Sequence, residues 1–524
     1  MARAVALALL LLAVTAAEAQ ATAFRVVIVP GLGLDDLALL EERGAVGLLV
    51  PGAGPETSAA AARAALVRGE ARNSLRGAPT GRVLIDFETE LAVPAAGPAI
   101  VLGLPAGKTE PNDRRYPVAV LGRGFRGVLT SDSTRIPGLV SIADLAPTAL
   151  GVDAPLGWEP NQAATEDLLS LDRRIDENNS ARLPVTIVAA VALLLLALVR
   201  PRAALLGFGL GLLANLGLGI AGVSSFWPVV LGITGAIVVG GLILERVLPG
   251  GLATGAFLSA VVLAYLVTLG LDGPDVALSP LGPTQNARFY GISNLLETML
   301  LVPAFAGAAL LARRLGVAAL VAVAVGSFVV IAGNRFGADG GGAIVLAAGF
   351  AVLVVVLYEL RGRALAAAVA GVAAIVAAIV ALDALFGPST HVTRAVGTGP
   401  EGLGADLRDR IAISWERIVG TPAVSVLVVV GVLVLALVVA RILRSDRPWP
   451  ERAVPLALAA AVVTSLVVND SPNDVVLAGV VGLVVCDAAM LRAGCAAASR
   501  SRSSSAFSWP AVAGRRPWGP RQRP

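Results

Sequence analysis

"SLDRRIDENNSARLPVTIVAAVALLLLALVR", residues 170–200, is the stretch at which the chain changes solvent. Ser170 to Arg182 is polar and charged, whereas no charged side chain occurs from Leu183 until Arg200. An uncharged apolar run of that kind is what about 30 Å of hydrocarbon requires of a helix. Working outward, the residues before it have the texture of a water-soluble domain and those after it the texture of a membrane bundle.

Composition agrees. Hydrophobic residues make up 56% of the 524 and charged residues only 15%, with a mean hydropathy of +0.80; an ordinary soluble domain is about 25% charged. A soluble enzyme is excluded, and a membrane lipid is the expected partner rather than a nucleic acid. Cys486 and Cys495 lie close together near the end, so no disulfide framework is available to an exported domain.

The N-terminus "MARAVALALLLLAVTAAEAQ" has Arg3, an apolar core from Ala4 to Val14 and small Ala17 and Ala19. It reads as a signal peptide over residues 1–19, too short in its apolar part for a stable span; an uncleaved signal anchor is the alternative. Residues 20–182 then form the exported domain. The strings "FRVVIVPGLGLDDLALL", "AVGLLVPGAG", "GRVLIDF", "PAIVLGLPAG", "PVAVLG" and "RGVLTS" are short apolar strands ending at turn residues, interleaved with helical stretches such as "ETSAAAARAALVRGE". An α/β domain with a mainly parallel sheet is predicted, closed by a polar linker over residues 170–182.

Residues 183–492 are predicted to be an all-α bundle of about eleven spans: 184–199, 203–223, 227–244, 251–271, 294–312, 315–333, 342–360, 364–384, 422–442, 452–468 and 474–491. The glycines of "GFGLGLLANLGLG" suit tight packing of the second span. Arginine placement orients the set, because cytoplasmic loops collect positive charge. With the soluble domain outside, Arg200, Arg202, Arg246, Arg313, Arg314, Arg361, Arg363, Arg441, Arg444, Arg447 and Arg452 all fall inside. The connections outside hold most of the acids, and the arginine-rich tail, residues 493–524, is placed in the cytoplasm as a disordered segment.

Four polar clusters fall on the outer side. "ARFYGISNLLETMLL" brings Arg288, Tyr290, Asn294 and Glu297; "GNRFGADGGG" brings Arg335 and Asp339; "STHVTR" brings His391, the only histidine, and Arg394; "VVNDSPNDVV" brings Asn469, Asp470 and Asp474. Helix N-termini, a glycine nest and fixed guanidinium groups at one interface suit a phosphate. Ionisable groups at membrane depth are functional candidates by default. In this reading Glu297, Asp339 or His391 serves as general base, Arg288, Arg335 and Arg394 bind phosphate, and Tyr290, Asn294, Asn469 and Asp470 contact substrate.

Plainer readings stand beside these. Asn294 and Glu297 have capping-box spacing, and Ser471, Pro472 and Asp474 resemble a helix start. The segment "ADLRDRIAISWERIV" aligns Leu407, Ile411, Trp415 and Ile418 on one stripe, as an interfacial helix or one packed over the bundle mouth would. The inner halves of the spans are expected to carry almost no ionisable group, which disfavours a transport path.

"VVIVPGLGLDDL" followed by "GVLTSDSTRIPGLVSIADLAPTALG" resembles the opening strand and a late segment of the alkaline phosphatase superfamily. The membrane half, with "ARFYGISN", "NRFGADGGG", "THVTR" and "VVNDS", resembles bacterial polytopic proteins that join such a domain to a helical bundle. The resemblance implies two metal ions held by Asp and His. This sequence departs from it: Pro30 stands where the first aspartate ends the strand, "TSDSTR" replaces "SDHG", and the exported domain has no histidine. Asp35, Asp36, Thr57, Ser58, Asp86 and Asp132 remain as oxygen donors suited at most to a hard cation. A noncatalytic exported domain is expected, no metal site is assigned, and the cofactor is unknown. The function expected is handling of a polyprenyl-phosphate-linked glycan or similar lipid phosphate at the outer leaflet; a transporter, a flippase or a scaffold for envelope enzymes is the alternative.

Overall fold

The computed structural model describes residues 24–52, 54, 56–69, 85–87, 98–122, 124–152, 155–271, 273–285, 289–333, 336–337, 340–386, 408, 411–412, 414–415, 418–420, 422–469 and 471–503. The expected signal peptide lies outside them.

The first part is a mixed sheet with helices. Among the described residues ten strands are formed: β1 (Arg25–Ile28), β2 (Gly44–Val50), β3 (Glu56–Thr57), β4 (Ile85–Phe87), β5 (Ala99–Leu102), β6 (Glu110–Pro111), β7 (Tyr116–Leu121), β8 (Gly127–Ser131), β9 (Leu139–Ser141) and β10 (Leu156–Glu159). The main sheet runs β10-β8-β2-β7-β5-β1-β4, with β9 also pairing to β2, and β3 pairs with β6 apart from it. β1 is parallel to β4 and β5, and β2 to β8 and β9, but β7 is antiparallel to both β2 and β5. The expectation of a mainly parallel sheet therefore gives way to a mixed one. Apolar runs cannot distinguish the two cases, because any strand covered on both faces loses its alternation.

Both faces are indeed covered. Val26, Ile28, Ile100 and Leu102 pack on one side with Ala62 and Leu66 of α2 (Ala59–Arg68) and Leu145 of α3 (Leu145–Leu150). Val27, Val29, Leu48 and Val101 pack on the other with Leu37 and Leu40 of α1 (Leu37–Glu41) and with Leu168 and Ile175 of α4 (Ala164–Val199). Ala277, Leu278 and Phe289, from a connection between two apolar helices, complete this second core. The sheet is thus sealed on to the helical part by apolar contact.

Among the described residues eight helices are long and apolar enough to cross a membrane: α4, α5 (Pro201–Ile220), α6 (Phe226–Val247), α7 (Gly250–Gly270), α8 (Asn294–Leu315), α12 (Pro422–Arg444), α13 (Trp449–Val468) and α14, whose apolar part is Pro472–Leu491. Among the described residues three more helices have shorter apolar parts: α9 (Val317–Ala332), α10 (Gly340–Leu357, apolar over Gly341–Leu357) and α11 (Arg363–Phe386, apolar over Arg363–Ala374). The glycines of α5 do pack closely: a Cβ on Gly207 would stand 2.3 Å from the carbonyl oxygen of Ile237. α14 continues to Ser503, past residue 492, where the tail is expected to begin.

Residues 170–182, expected as a linker, are instead the middle of α4, which runs unbroken for 36 residues with Pro184 inside it. The polar residues there have helical spacing and opposite duties. Arg174, Asn178 and Arg182, four apart, donate to the carbonyl oxygens of Gly219 and Leu278, of Leu278, and of Gly282. Asp172 and Asp176, also four apart, accept from Arg115 at 2.6 and 2.5 Å. That arginine, whose side chain is 1% exposed, also reaches Gln285 at 3.3 Å, and Gln285 donates to Asn112 at 2.8 Å. One buried guanidinium joins the sheet domain, α4 and the connection after α7.

Candidate functional site at the start of the fifth apolar helix

α8 is the most enclosed of the long apolar helices, with 89% of its span buried, so a polar group on it faces protein rather than lipid. Its start is set by Ser293, whose extended backbone (φ −76, ψ 157) turns its hydroxyl to accept from the Leu296 N–H at 3.1 Å. The cap is therefore one residue earlier than the Asn294–Glu297 spacing suggests. Glu297 becomes the fourth helical residue, beyond the position from which a capping-box carboxylate reaches back. The capping explanation of Glu297 is overturned by that single-residue shift.

The Glu297 side chain is fully buried, at 0% exposure. Its Oε2 accepts from Nδ2 of Asn469 at 2.8 Å. Asn469 closes the C-terminus of α13 with an extended backbone, and its Nδ2 also donates to Ser465 Oγ at 2.8 Å. Both amide hydrogens are thus engaged, while the buried Oδ1 accepts nothing among the described residues. The Asn469 carbonyl oxygen accepts from Ser414 Oγ at 2.7 Å. Ser414 belongs to the amphipathic segment, in which Ser414 is buried and Trp415 and Ile411 are exposed. That contact fits a helix packed over the bundle mouth.

A second junction brings "ARFYGISN" to "NRFGADGGG". Gly291 adopts φ +75, and a Cβ there would lie 2.1 Å from the carbonyl oxygen of Gly337; the Ile292 N–H donates to that same oxygen at 3.2 Å. Only glycine at 291 allows this approach, while Gly337 is required by its own neighbours, since a Cβ there would stand 2.2 Å from the carbonyl oxygen of Ile331. Beside Gly291, the buried Tyr290 ring is covered by Arg135 of the sheet domain, whose guanidinium carbon is 4.6 Å from the ring centroid. Arg135 holds φ +56, a left-handed conformation rare outside glycine. It comes from "TSDSTR", so the sheet domain reaches the junction through that segment.

Of the residues singled out from the sequence, Glu297 and Asn469 are in direct contact; Tyr290 is buried at the second junction, and Asn294 is half-buried on the first turn of α8. Arg288, Arg335, Asp339, His391, Arg394 and Asp470 lie outside the described residues. Asp474, two residues into the last helix, lies 3.5 Å from Arg182, and the helix begins at Pro472 as its cap pattern suggests. Ser414, Ser465 and Arg135 were not legible as site residues; a hydroxyl in an apolar or amphipathic helix carries no signal until its partner is known.

In the sheet domain the oxygen donors are occupied as caps or dispersed. Asp36 accepts from the Gly33 N–H at 2.8 Å, Ser58 caps α2, and Asp132 is exposed. Among the described residues no three His, Cys, Asp or Glu side chains are grouped as a metal ion would require.

At the other end of the helices, the expectation that ionisable groups are nearly absent needs correction. Asp487, on α14, is 1% exposed and receives both Arg441 and Arg447, the latter at 2.7 Å. The acid within the apolar run "GLVVCDAAML" is the sequence signal for it. Compared with family models, curated proteins and solved structures, the chain matches none.

Proposed function

We propose that this protein is an integral membrane protein of the cell envelope that binds, and acts on, a polyprenyl-phosphate-linked glycan or a similar lipid phosphate at the outer leaflet. The observation that carries this reading is the buried Glu297–Asn469 pair, in which a carboxylate relieved of capping is held by an amide whose remaining oxygen faces no donor among the described residues. A hydroxyl of a sugar or alcohol would supply that donor, and Glu297 beside it is placed to accept a proton. The meeting of Gly291 with Gly337, and of Asn469 with Ser414, supports a common pocket for the polar loops. Arg288, Arg335 and Arg394 then supply phosphate contacts, and Asp339, His391 and Asp470 the remaining polar groups. The arginine pattern supports an outward-facing pocket in this reading, with the three helices of shorter apolar part counted as crossings, an exported signal-bearing N-terminus and an inward tail. The sheet domain acts in this reading as a noncatalytic, alkaline-phosphatase-like recognition module that contributes Arg135.

The test is binding and turnover of a labelled polyprenyl phosphate and its glycosylated form by purified protein, with Glu297→Gln and Asn469→Ala alongside. Loss of turnover with retained folding in both variants is expected; unchanged binding and turnover in both would remove the proposal. The buried Asp487 favours one competing reading, a transporter or flippase, because it supplies an ionisable group at depth in the opposite half. Movement of labelled lipid across liposomes without covalent change would favour that reading.

A further inference from the structure

The end of the bundle remote from the sheet domain holds an arrangement independent of the Glu297 site. Arg441 of α12 and Arg447, which follows that helix, donate to different oxygens of Asp487, the first to Oδ2 and the second to Oδ1 at 2.7 Å. One carboxylate is therefore saturated by two guanidinium groups, leaving the triad with a net positive charge. Arg447 is deeply placed, its side chain 10% exposed. Its Nε reaches Ser445 Oγ at 3.3 Å, its Nη2 takes Asp487, and its Nη1 is buried with no acceptor among the described residues.

The backbone around this triad is held by a further arginine. Arg452 donates to the carbonyl oxygens of Leu443 at 3.2 Å, Arg447 at 2.8 Å and Ser445, which fixes the connection between α12 and α13. Its guanidinium carbon also sits 4.8 Å from the centroid of the Trp449 ring, and that ring is 44% exposed. Arg313 of α8 donates to the Pro450 carbonyl oxygen at 3.0 Å, and Arg314 and Arg444 are exposed nearby in sequence. Asp446, Glu451 and Asp487 oppose six arginines, 313, 314, 441, 444, 447 and 452, so the region remains cationic. A buried, uncompensated guanidinium N–H is costly and calls for an anion. An exposed tryptophan among arginines marks the level at which lipid head groups lie.

We infer that Arg441, Arg444 and Arg447, framed by Trp449, bind a phosphate group at the membrane interface on the side away from the sheet domain, most naturally the phosphodiester of an anionic phospholipid. Delipidated full-length protein in detergent, titrated with phosphatidylglycerol or phosphatidylcholine and read by native mass spectrometry, tests this. Phosphatidylglycerol is expected to be retained about tenfold more tightly. Calorimetry with inorganic phosphate separates the sources: saturable phosphate binding without lipid preference assigns the site to a free anion of the same chemistry. The double variant Arg447→Gln/Asp487→Asn keeps an amide pair between the elements and is expected to lose the preference. Should that variant fail to fold, Arg441→Gln, which removes the more exposed of the two guanidinium groups on Asp487 and leaves the Arg447–Asp487 pair in place, is expected to weaken it severalfold. Equal retention of both lipids together with no phosphate binding, or an unchanged preference in the folded variants, would overturn the inference.

Discussion

Two buried carboxylates occupy opposite ends of this helical bundle, and the protein treats them differently. Asp487 is met by two arginines on its two oxygens, whereas Glu297 is met at Oε2 by the amide of Asn469. The carboxylate clamped between guanidinium groups joins α14 to α12 and the segment after it. In the proposed function Glu297, held at Oε2 by the Asn469 amide, is the acid that accepts a proton.

The comparison is broken most severely at the charged end. Asp487→Leu leaves two arginines facing a buried aliphatic group, one of them nine-tenths buried, and is expected to cost about 3–5 kcal/mol in reversible denaturation of the protein in detergent. A loss below about 1 kcal/mol would mean that water reaches the pair and that it behaves as a surface ion pair. At the other end, Asn469→Ala removes the donor to Glu297 and to Ser465 and should cost about 1–3 kcal/mol in the same measurement. Accommodation without loss would show that the amide holds neither group.

Glu297→Gln sharpens the contrast because it preserves shape while removing the carboxylate. Stability should change by less than about 1 kcal/mol, yet turnover or binding of the lipid substrate should be lost; a large stability loss with activity retained would reverse the roles assigned to the two acids. The smallest effect is expected at the junction between the sheet domain and the bundle. Arg135→Ala removes the guanidinium over Tyr290 and should cost about 0.5–1 kcal/mol, read as a shift in the thermal midpoint and as earlier cleavage between the sheet domain and the bundle in limited proteolysis. An unchanged cleavage pattern would show that Arg115 and its partners hold the junction by themselves.

How much of this was legible differs by region. The apolar helices were readable because hydropathy over about 20 residues is a property of each segment by itself, and the long apolar helices fall on segments so identified. Even there, residues 170–182 misled: their polarity suggested a linker, although Arg174, Asn178 and Arg182 at intervals of four already carried a helical stripe. The strands were placed by their β-branched runs, but parallel and antiparallel pairing were not separable because both faces are covered. The Asn294–Glu297 spacing pointed to a cap, and the competing Ser293 hydroxyl was one residue away; local patterns fix such choices only to within a residue or two.

The sequence by itself determined which segments are apolar enough to cross a membrane and which are polar, and on which connections arginine and acid accumulate, because those are sums over neighbouring residues. Only the tertiary structure decided that Glu297 faces Asn469, that Asp487 faces Arg441 and Arg447, and that Arg115 and Arg135 tie the sheet to the helices. These partners lie tens to hundreds of residues apart, and a buried polar group acquires its meaning from the atom it touches, which no local pattern contains.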